Sequence, residues 1–404
     1  MRVSSPLASL RARFESLPAE VGVLSAVAFF VAAGFGIVAP AIPVFARHFG
    51  VSRTAAAAVV SAFALMRLVS ALGCGRLVNR IGARVVLGSG IAIVAGSSAL
   101  AGLAQNYAQL LVLRGVGGVG SAMFTVSASS VLLGATTSAQ RGRAMGTFSG
   151  GFLLGGIAGP LLGGLVTGIS LRAPFFVYAV TLGIAGGVGL ARLPRHRRAS
   201  PDAPVAAMSP MTVRAAFRLP AFRAAAAANL ADSWAALGVR AAIVPLFVTE
   251  SLHERPIWTG IGFSVFTVAN IVMLLLGGRW ADDRGRRPLL IGGCVTSGLG
   301  VAALALPPSP ALFLVSMVVF GLGSGLLDVA PGAVLGDVVG GRGGTVIATY
   351  QMAGDVGSLG GPLVAGALAD STGYGSAFGA TAIVLAGAAF AAVRAPETLD
   401  KSPE

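Results

Sequence analysis

A chain of 404 residues that is 55% hydrophobic and only 11% charged, with a mean hydropathy of +0.84, excludes a soluble domain, whose charged share is typically ~25%. The formal charge of +14 invites a nucleic-acid partner, yet the arginines are scattered through short loops rather than gathered on one face, so none is expected. The two cysteines, Cys74 and Cys294, fall in or beside apolar runs and provide neither a disulfide framework nor a zinc site.

Residues 1–20 carry Arg2, Arg11 and Arg13 with Glu15 and Pro18, and no small-residue cleavage site follows a short apolar core, so they read as a cytoplasmic tail. Twelve runs then meet the ~20 mainly apolar residues that a membrane helix needs. The first six lie at about 21–45, 54–76, 85–104, 107–133, 144–169 and 173–191, and the second six at about 224–249, 256–278, 288–306, 310–336, 344–369 and 375–393. These define an amino-terminal six-helix bundle (21–191), a polar linker (192–223), a carboxyl-terminal bundle (224–393) and a tail (394–404). Within the linker, Met211 to Arg223 places Arg214 and Arg218 four apart among Met211, Phe217 and Phe222, which suits an amphipathic helix at the lipid surface or a solvated tether.

Charge sidedness orients the spans. The segments on the side of the termini hold 22 of the 29 Arg and Lys residues. The opposite loops hold four, Arg47, Arg53, Arg172 and Arg255, while Arg67, Arg114 and Arg240 lie inside spans. Positive-inside orientation therefore predicts cytoplasmic termini.

The loop after the second span reads GRLVNRIGAR from Gly75 to Arg84, and GRWADDRGRR from Gly278 to Arg287 begins 203 residues later (278 minus 75), half the chain. Gly75 and Gly278 are expected where a helix end approaches a neighbour, and Gly82 and Gly285 where a tight turn needs positive φ. The pattern at Gly75, Leu77, Arg80, Gly82 and Arg84 resembles the signature loop between helices 2 and 3 of the major facilitator superfamily. Asn79 replaces the family's usual acid, which the second copy keeps as Asp282, and Asp283 stands where a basic residue is common. The resemblance implies an all-α fold of twelve transmembrane helices in two pseudo-twofold six-helix bundles. It also implies that Asn79 and Asp282 cap helix ends and hold a cytoplasmic gate, with Asn79 unable to carry the charge.

In the fifth span, Gly146, Gly155, Gly159, Pro160, Gly163 and Gly164 match the fifth-helix motif of the family's drug:proton antiporters at every position. Small residues four apart let helix backbones approach, and a proline bends the helix. The alternative is ordinary glycine packing in a chain of 58 glycines. The eleventh span repeats the pattern loosely at Gly357, Gly361, Pro362 and Gly366. In the fourth span, RGVGGVG from Arg114 resembles the family's membrane-arginine motif, which implies a role in proton transfer. An arginine in hydrocarbon costs at least ~2.5 kcal/mol, so Arg114 must face a cavity or a partner, or else snorkel outward.

Asp232 in the seventh span and Asp355 in the eleventh fall near the midplane at ~1.5 Å per residue, with Asp328 and Arg67 nearer the cytoplasm. A midplane acid is neutralised more easily than it is kept charged, so Asp232 or Asp355, then Asp328, are the candidate proton carriers. The alternative is a fixed ion pair with Arg67, Arg114 or Arg240. Asn229, Trp234, Arg240, Asn270 and Gln351 are candidate cavity contacts, with simple packing as the rival reading. No triad, metal cluster or phosphate loop is present, and His48, His196 and His253 fall in predicted loops. An enzyme is disfavoured, no cofactor is expected, and the energy source would be a proton gradient.

The resemblance implies proton-coupled export of small, mostly apolar compounds by alternating access across a bacterial inner membrane. One chain supplies both halves, so a monomer would suffice. A metabolite exporter or importer, for a sugar or an amino acid, is the rival within the class. A non-transporting receptor or sensor is the rival outside it.

Overall fold

The computed structural model describes residues 17–136, 138–193, 212–339 and 344–399. The amino-terminal tail through residue 16, most of the linker with Met211 and His196, and the last five residues lie outside that set. Every regular element among the described residues is helical. The spans are Ala19–Arg47 (span 1), Arg53–Ile81 (2), Ala83–Gly102 (3), Tyr107–Ala135 (4), Ser138–Ile169 (5) and Ala173–Arg192 (6). They continue as Pro220–Glu250 (7), Ile257–Arg284 (8), Arg286–Ala303 (9), Pro310–Val339 (10), Gly344–Ser371 (11) and Tyr374–Val393 (12), and a short linker helix, Val213–Arg218, precedes span 7.

Local sequence explains where the helices start. Ser52 accepts a hydrogen bond from the Ala55 amide, Asn106 from that of Gln109 and Ser309 from that of Leu312, each satisfying a free amide of a first turn. Asn106 and Ser309 are 203 residues apart (309 minus 106), the spacing of the two arginine motifs.

Ten of these spans are long and apolar enough to cross a membrane by composition alone; spans 9 and 11 are not among them. Span 9 is only 18 residues long and opens with Arg286 and Arg287. Span 11 carries Asp355, Asp370 and several hydroxyl and glycine residues. Both are held by packing, span 9 against spans 10 and 12, and span 11 against spans 2, 7 and 12.

Each half is seamed by a glycine stripe. On span 5, a Cβ at Gly155, Gly159 or Gly163 would lie 2.4 Å from the carbonyl oxygen of Phe29, Ala33 or Ile37 respectively, and Gly151 is as tight against the Ser25 carbonyl. Backbones so close leave room only for hydrogen, and the four-residue step on both helices keeps them in contact along the whole seam. In the other half, Gly357 and Gly361 of span 11 meet the carbonyls of Leu230 and Trp234 on span 7. Pro160 packs on Gly36, and Pro362 on Gly238. Those pairs sit 202 apart (362 minus 160; 238 minus 36), so one packing solution is used twice.

The halves meet through two helix pairs. Gly164 of span 5 abuts Ile257 and Gly260 of span 8, while Gly366 of span 11 abuts Thr54 of span 2. The Ser61 hydroxyl donates to the Leu359 carbonyl at 2.8 Å across the second pair, and Ser264 to Ile157 at 3.3 Å across the first. Toward the arginine-rich end the matching leucines of spans 2 and 8, Leu72 and Leu275, are 78% and 69% exposed, so no partner is packed over them.

Candidate functional site

The carboxyl-terminal half holds a polar cluster inside the membrane. Span 7 is α-helical to Asp232, becomes a π-helix from Ser233 to Val239, and resumes at Arg240. The wider π turn changes which face Arg240 presents relative to Asp232, and such insertions often mark functional positions. The Arg240 guanidinium lies over the rings of Phe263 at 4.7 Å and Phe266 at 4.2 Å, with its Nε donating to the Ala236 carbonyl at 3.0 Å. Asp232 and Asp328 are its acidic neighbours, yet neither is among the ion pairs of the described residues. The arginine is held by aromatic faces and a carbonyl, so the carboxylates act on it from a distance.

Asp328 sits where span 10 breaks between Leu327 and Ala330, and it accepts a hydrogen bond from Asn270 Nδ2 at 2.8 Å. Its side chain is solvent-accessible at the break in span 10. Asp232 is half-buried beside Ser324, and its Oδ1 is buried without a hydrogen-bond partner. Tyr350 lies near both acids. With every group ionised, two carboxylates and one guanidinium sum to one negative charge, and a single proton neutralises the set.

Asp355 is placed differently. Its Oδ1 pairs with Arg67 Nη2 at 3.0 Å across the junction of spans 2 and 11, both side chains being half-exposed. It therefore ties the halves together. Arg114 is 3% exposed and lies over the Phe63 ring at 4.7 Å, with a buried Nε that has no partner. The structure brings it to no acid among the described residues, because the three membrane acids all belong to the other half.

The remaining cavity candidates separate as follows. Asn270 serves Asp328. Asn229 donates to the Tyr350 carbonyl at 2.8 Å, holding span 7 to span 11. Trp234 packs on Gly360 and Gly361 and reaches Thr381 at 3.4 Å; it is a seam residue, because the glycine stripe opposite it leaves the space an indole fills. Gln351 is exposed on span 11.

The arginine motifs are more helical than a loop reading suggests. Span 2 runs through Asn79 and Arg80 to Ile81, and one residue, Gly82 at φ 90°, turns the chain before span 3 starts at Ala83. Gly285 at φ 105° does the same after span 8. The expected close approaches at Gly75 and Gly278 are absent, since nothing lies within 4 Å of a Cβ at either position; the same holds for Gly146. These glycines sit at the end where the halves part. Nor do Asn79 and Asp282 cap the following helices, whose N-caps are the glycines themselves. Asn79 and Arg80 are exposed, and Asp282 pairs with Arg286 at 3.5 Å.

The amides of Arg286 and Arg287 instead donate to the Glu397 carboxylate at 2.8 and 3.1 Å, so a residue beyond span 12 caps span 9. Arg286 also reaches Asp337 at 3.1 Å. Arg84 and Arg287, 203 apart (287 minus 84), bond the carbonyls of Leu190 and Val393, also 203 apart (393 minus 190).

At the arginine-poor end a lock unrecognised in the sequence closes the halves. Glu250, at the end of span 7, accepts from Arg47 Nε, Arg53 Nε and the Tyr374 hydroxyl, each at 2.8 Å. Asp370 accepts from the amides of Arg53 and Thr54 at 2.9 Å and from the Thr54 hydroxyl at 2.7 Å, capping span 2 from the other half. The sequence signal was acids of one half falling at the same membrane end as arginines of the other. A recess of about 530 Å³ lies against this lock, lined by Arg53, Phe247, Glu250, Leu306, Pro308 and Tyr374. None of the three membrane acids lines it.

Comparison with known proteins agrees with this architecture. The family model of the Major Facilitator Superfamily matches residues 24–239 and 230–404. Multidrug resistance protein 2 of Bacillus subtilis is 31% identical over 143 residues, 35% of this chain and 36% of that protein. Quinolone resistance protein NorA of Staphylococcus aureus is 27% identical over 156 residues, 39% of this chain and 40% of its own. The matched stretches thus span less than half the length of either relative. Among solved structures, a bacterial homolog of the human lysosomal transporter Spinster superposes with a TM-score of 0.76 at 14% identity, covering 96% of this chain and 97% of that one. The nucleoside transporter NupG superposes with a TM-score of 0.72 at 16% identity, covering 93% and 99%. With the family model spanning nearly all of the chain, the helix count and the repeated packing have a common explanation: the protein is a multi-pass membrane transporter of the Major Facilitator Superfamily.

Proposed function

We propose that this transporter exports small, mostly apolar compounds in exchange for protons, by alternating access, with its arginine-rich end and both termini in the cytoplasm of a bacterial cell. The observation that carries the reading is the pair Asp232 and Asp328, neighbours of Arg240 but outside the ion pairs of the described residues, with one oxygen of Asp232 buried and without a hydrogen-bond partner. Carboxyls so placed exchange a proton without first breaking a salt bridge. Asp355 is the weaker candidate, because taking up a proton there would first cost its contact with Arg67.

The cycle follows from the two ends. The lock at Glu250 and Asp370 holds the outer end shut in this structure, and the glycine seams let each half move as one body. Neutralising the acid cluster removes the net charge that keeps it hydrated, which favours enclosing it when the inner end closes. The apolar-substrate reading draws support from the likeness to the two resistance proteins and from the fifth-span motif. A single chain is the working unit, and lipid, proton and substrate are its partners.

The test is pH-gradient-driven movement of a panel of lipophilic toxic compounds in proteoliposomes. Asp232→Asn and Asp328→Asn should each abolish gradient-driven transport, while Asp355→Asn retains part of it. Undiminished transport in both cluster variants rejects the assignment.

A further inference from the structure

The linker helix is a separate device. Val213–Arg218 forms a turn and a half of helix, with Thr212 accepting from the Ala215 amide, and the chain then extends at Leu219 before Pro220 starts span 7. Only Ala216 faces inward: it is buried with Phe222, Leu335, Val339 and Val346, against the arginine-rich ends of spans 10 and 11. On the outward face, Arg214, Phe217 and Arg218 fall at i, i+3 and i+4 and share one side. Phe217 is 47% exposed and Leu219 38%. Arg223, one turn into span 7, is exposed as well.

The stretch from Thr212 to Ala231 contains no acidic residue. Arg214, Arg218 and Arg223 enter no ion pair among the described residues. Of the other arginines at this end, Arg84 and Arg287 bond carbonyls, Arg286 pairs with Asp337 and Arg284 lies over the Trp280 ring, while Arg76, Arg80 and Arg143 are exposed like the linker cations but have no exposed Phe217 and Leu219 interleaved with them. Three unpaired cations interleaved with exposed apolar side chains, where a span leaves the membrane, match an anionic headgroup above an acyl chain. A lipid phosphate would accept from the guanidinium groups, and the exposed Phe217 and Leu219 would meet the first methylenes of its acyl chains.

We infer that the linker helix and the first turn of span 7 form a binding site for anionic phospholipid. The site is tied to the transport machinery. Phe217 packs edge-on against buried Phe222 at 5.2 Å, and Phe222 belongs to the cluster that Tyr350 flanks. Tyr350 is the residue near both Asp232 and Asp328. Lipid occupancy thus bears on the position of span 11 relative to the acids.

The experiment is native mass spectrometry of the full chain in detergent, titrated with phosphatidylglycerol and with phosphatidylcholine. The wild type should retain phosphatidylglycerol preferentially. Replacing Arg214, Arg218 and Arg223 together by Gln should lower that preference about fivefold per arginine, and Phe217→Ser should weaken both lipids. A control carrying Arg76→Gln, Arg80→Gln and Arg143→Gln loses the same charge and should keep the preference. An unchanged preference in the linker variant, or an equal loss in the control, overturns the site. Abolition of phosphatidylglycerol binding by millimolar inorganic phosphate overturns it too, since the site would then serve a free anion.

Discussion

Replacing Glu250 by Gln tests whether the lock at the arginine-poor end sets the conformational balance. The carboxylate takes three hydrogen bonds, two of them from arginines of the opposite half. Hydrogen bonds to charged groups are worth ~1.5–3 kcal/mol each, but the side chains here are 22–32% exposed, and solvent screening lowers the value. Gln keeps one carbonyl acceptor, so a net loss of about 2 kcal/mol is expected, a shift of roughly 30-fold in the ratio of closed to open states at that end.

The assay is spin-label distance between Ala108→Cys and Ala311→Cys, exposed residues at the starts of spans 4 and 10, with Cys74 and Cys294 replaced by Ala. These positions are repeat mates, 203 apart (311 minus 108), so opening moves them symmetrically. The wild type should give a short distance, and Glu250→Gln a second, longer population. High salt should enlarge that population in the wild type, because the pairs are partly screened. Identical distributions in both proteins at low and high salt would refute the lock.

Gly159→Ala places a Cβ 2.4 Å from the Ala33 carbonyl, an overpacking that costs ~1–3 kcal/mol and should lower the melting temperature, whereas Gly146→Ala, with nothing within 4 Å, should leave it unchanged; equal melting of the two would contradict the seam. At Glu397, burial pulls the carboxyl upward, but amide donors from Leu399, Arg286, Arg287 and Thr398 outweigh it and hold the group below its ordinary value of 4.5. A depressed carboxyl stabilises the fold fully above that ordinary value and loses its contribution as pH falls through the lower folded value, so the melting temperatures of wild type and Glu397→Gln should differ by a constant amount above pH 4.5 and draw together as pH falls below it.

Much of the fold was legible because hydrocarbon imposes a simple rule on sequence: long apolar runs, loops with asymmetric charge and, in this chain, motifs repeated 203 residues apart (278 minus 75). The glycine positions at 155, 159 and 163 were legible for the same reason, since only small residues permit the backbone contact they make. Boundaries were less so. The arginine motif looked like a loop because it is polar, yet a helix can carry Asn79 and Arg80 into water without breaking, and Gly82 alone is needed to turn. Trp234 could be read from the sequence as a cavity contact or as packing, and the structure gives the packing: it fills the groove cut by Gly360 and Gly361.

Sequence by itself determined a membrane chain of two repeated halves, the sidedness of its arginines, and the acids that hydrocarbon makes expensive. Only the tertiary structure decided which charges meet: Asp355 with Arg67, Asp328 with Asn270, Glu250 with Arg47 and Arg53. The reason is distance along the chain. Hydropathy and glycine spacing act over one or two turns of a helix, whereas these partners lie up to 288 residues apart and are chosen by how two bundles are turned against each other.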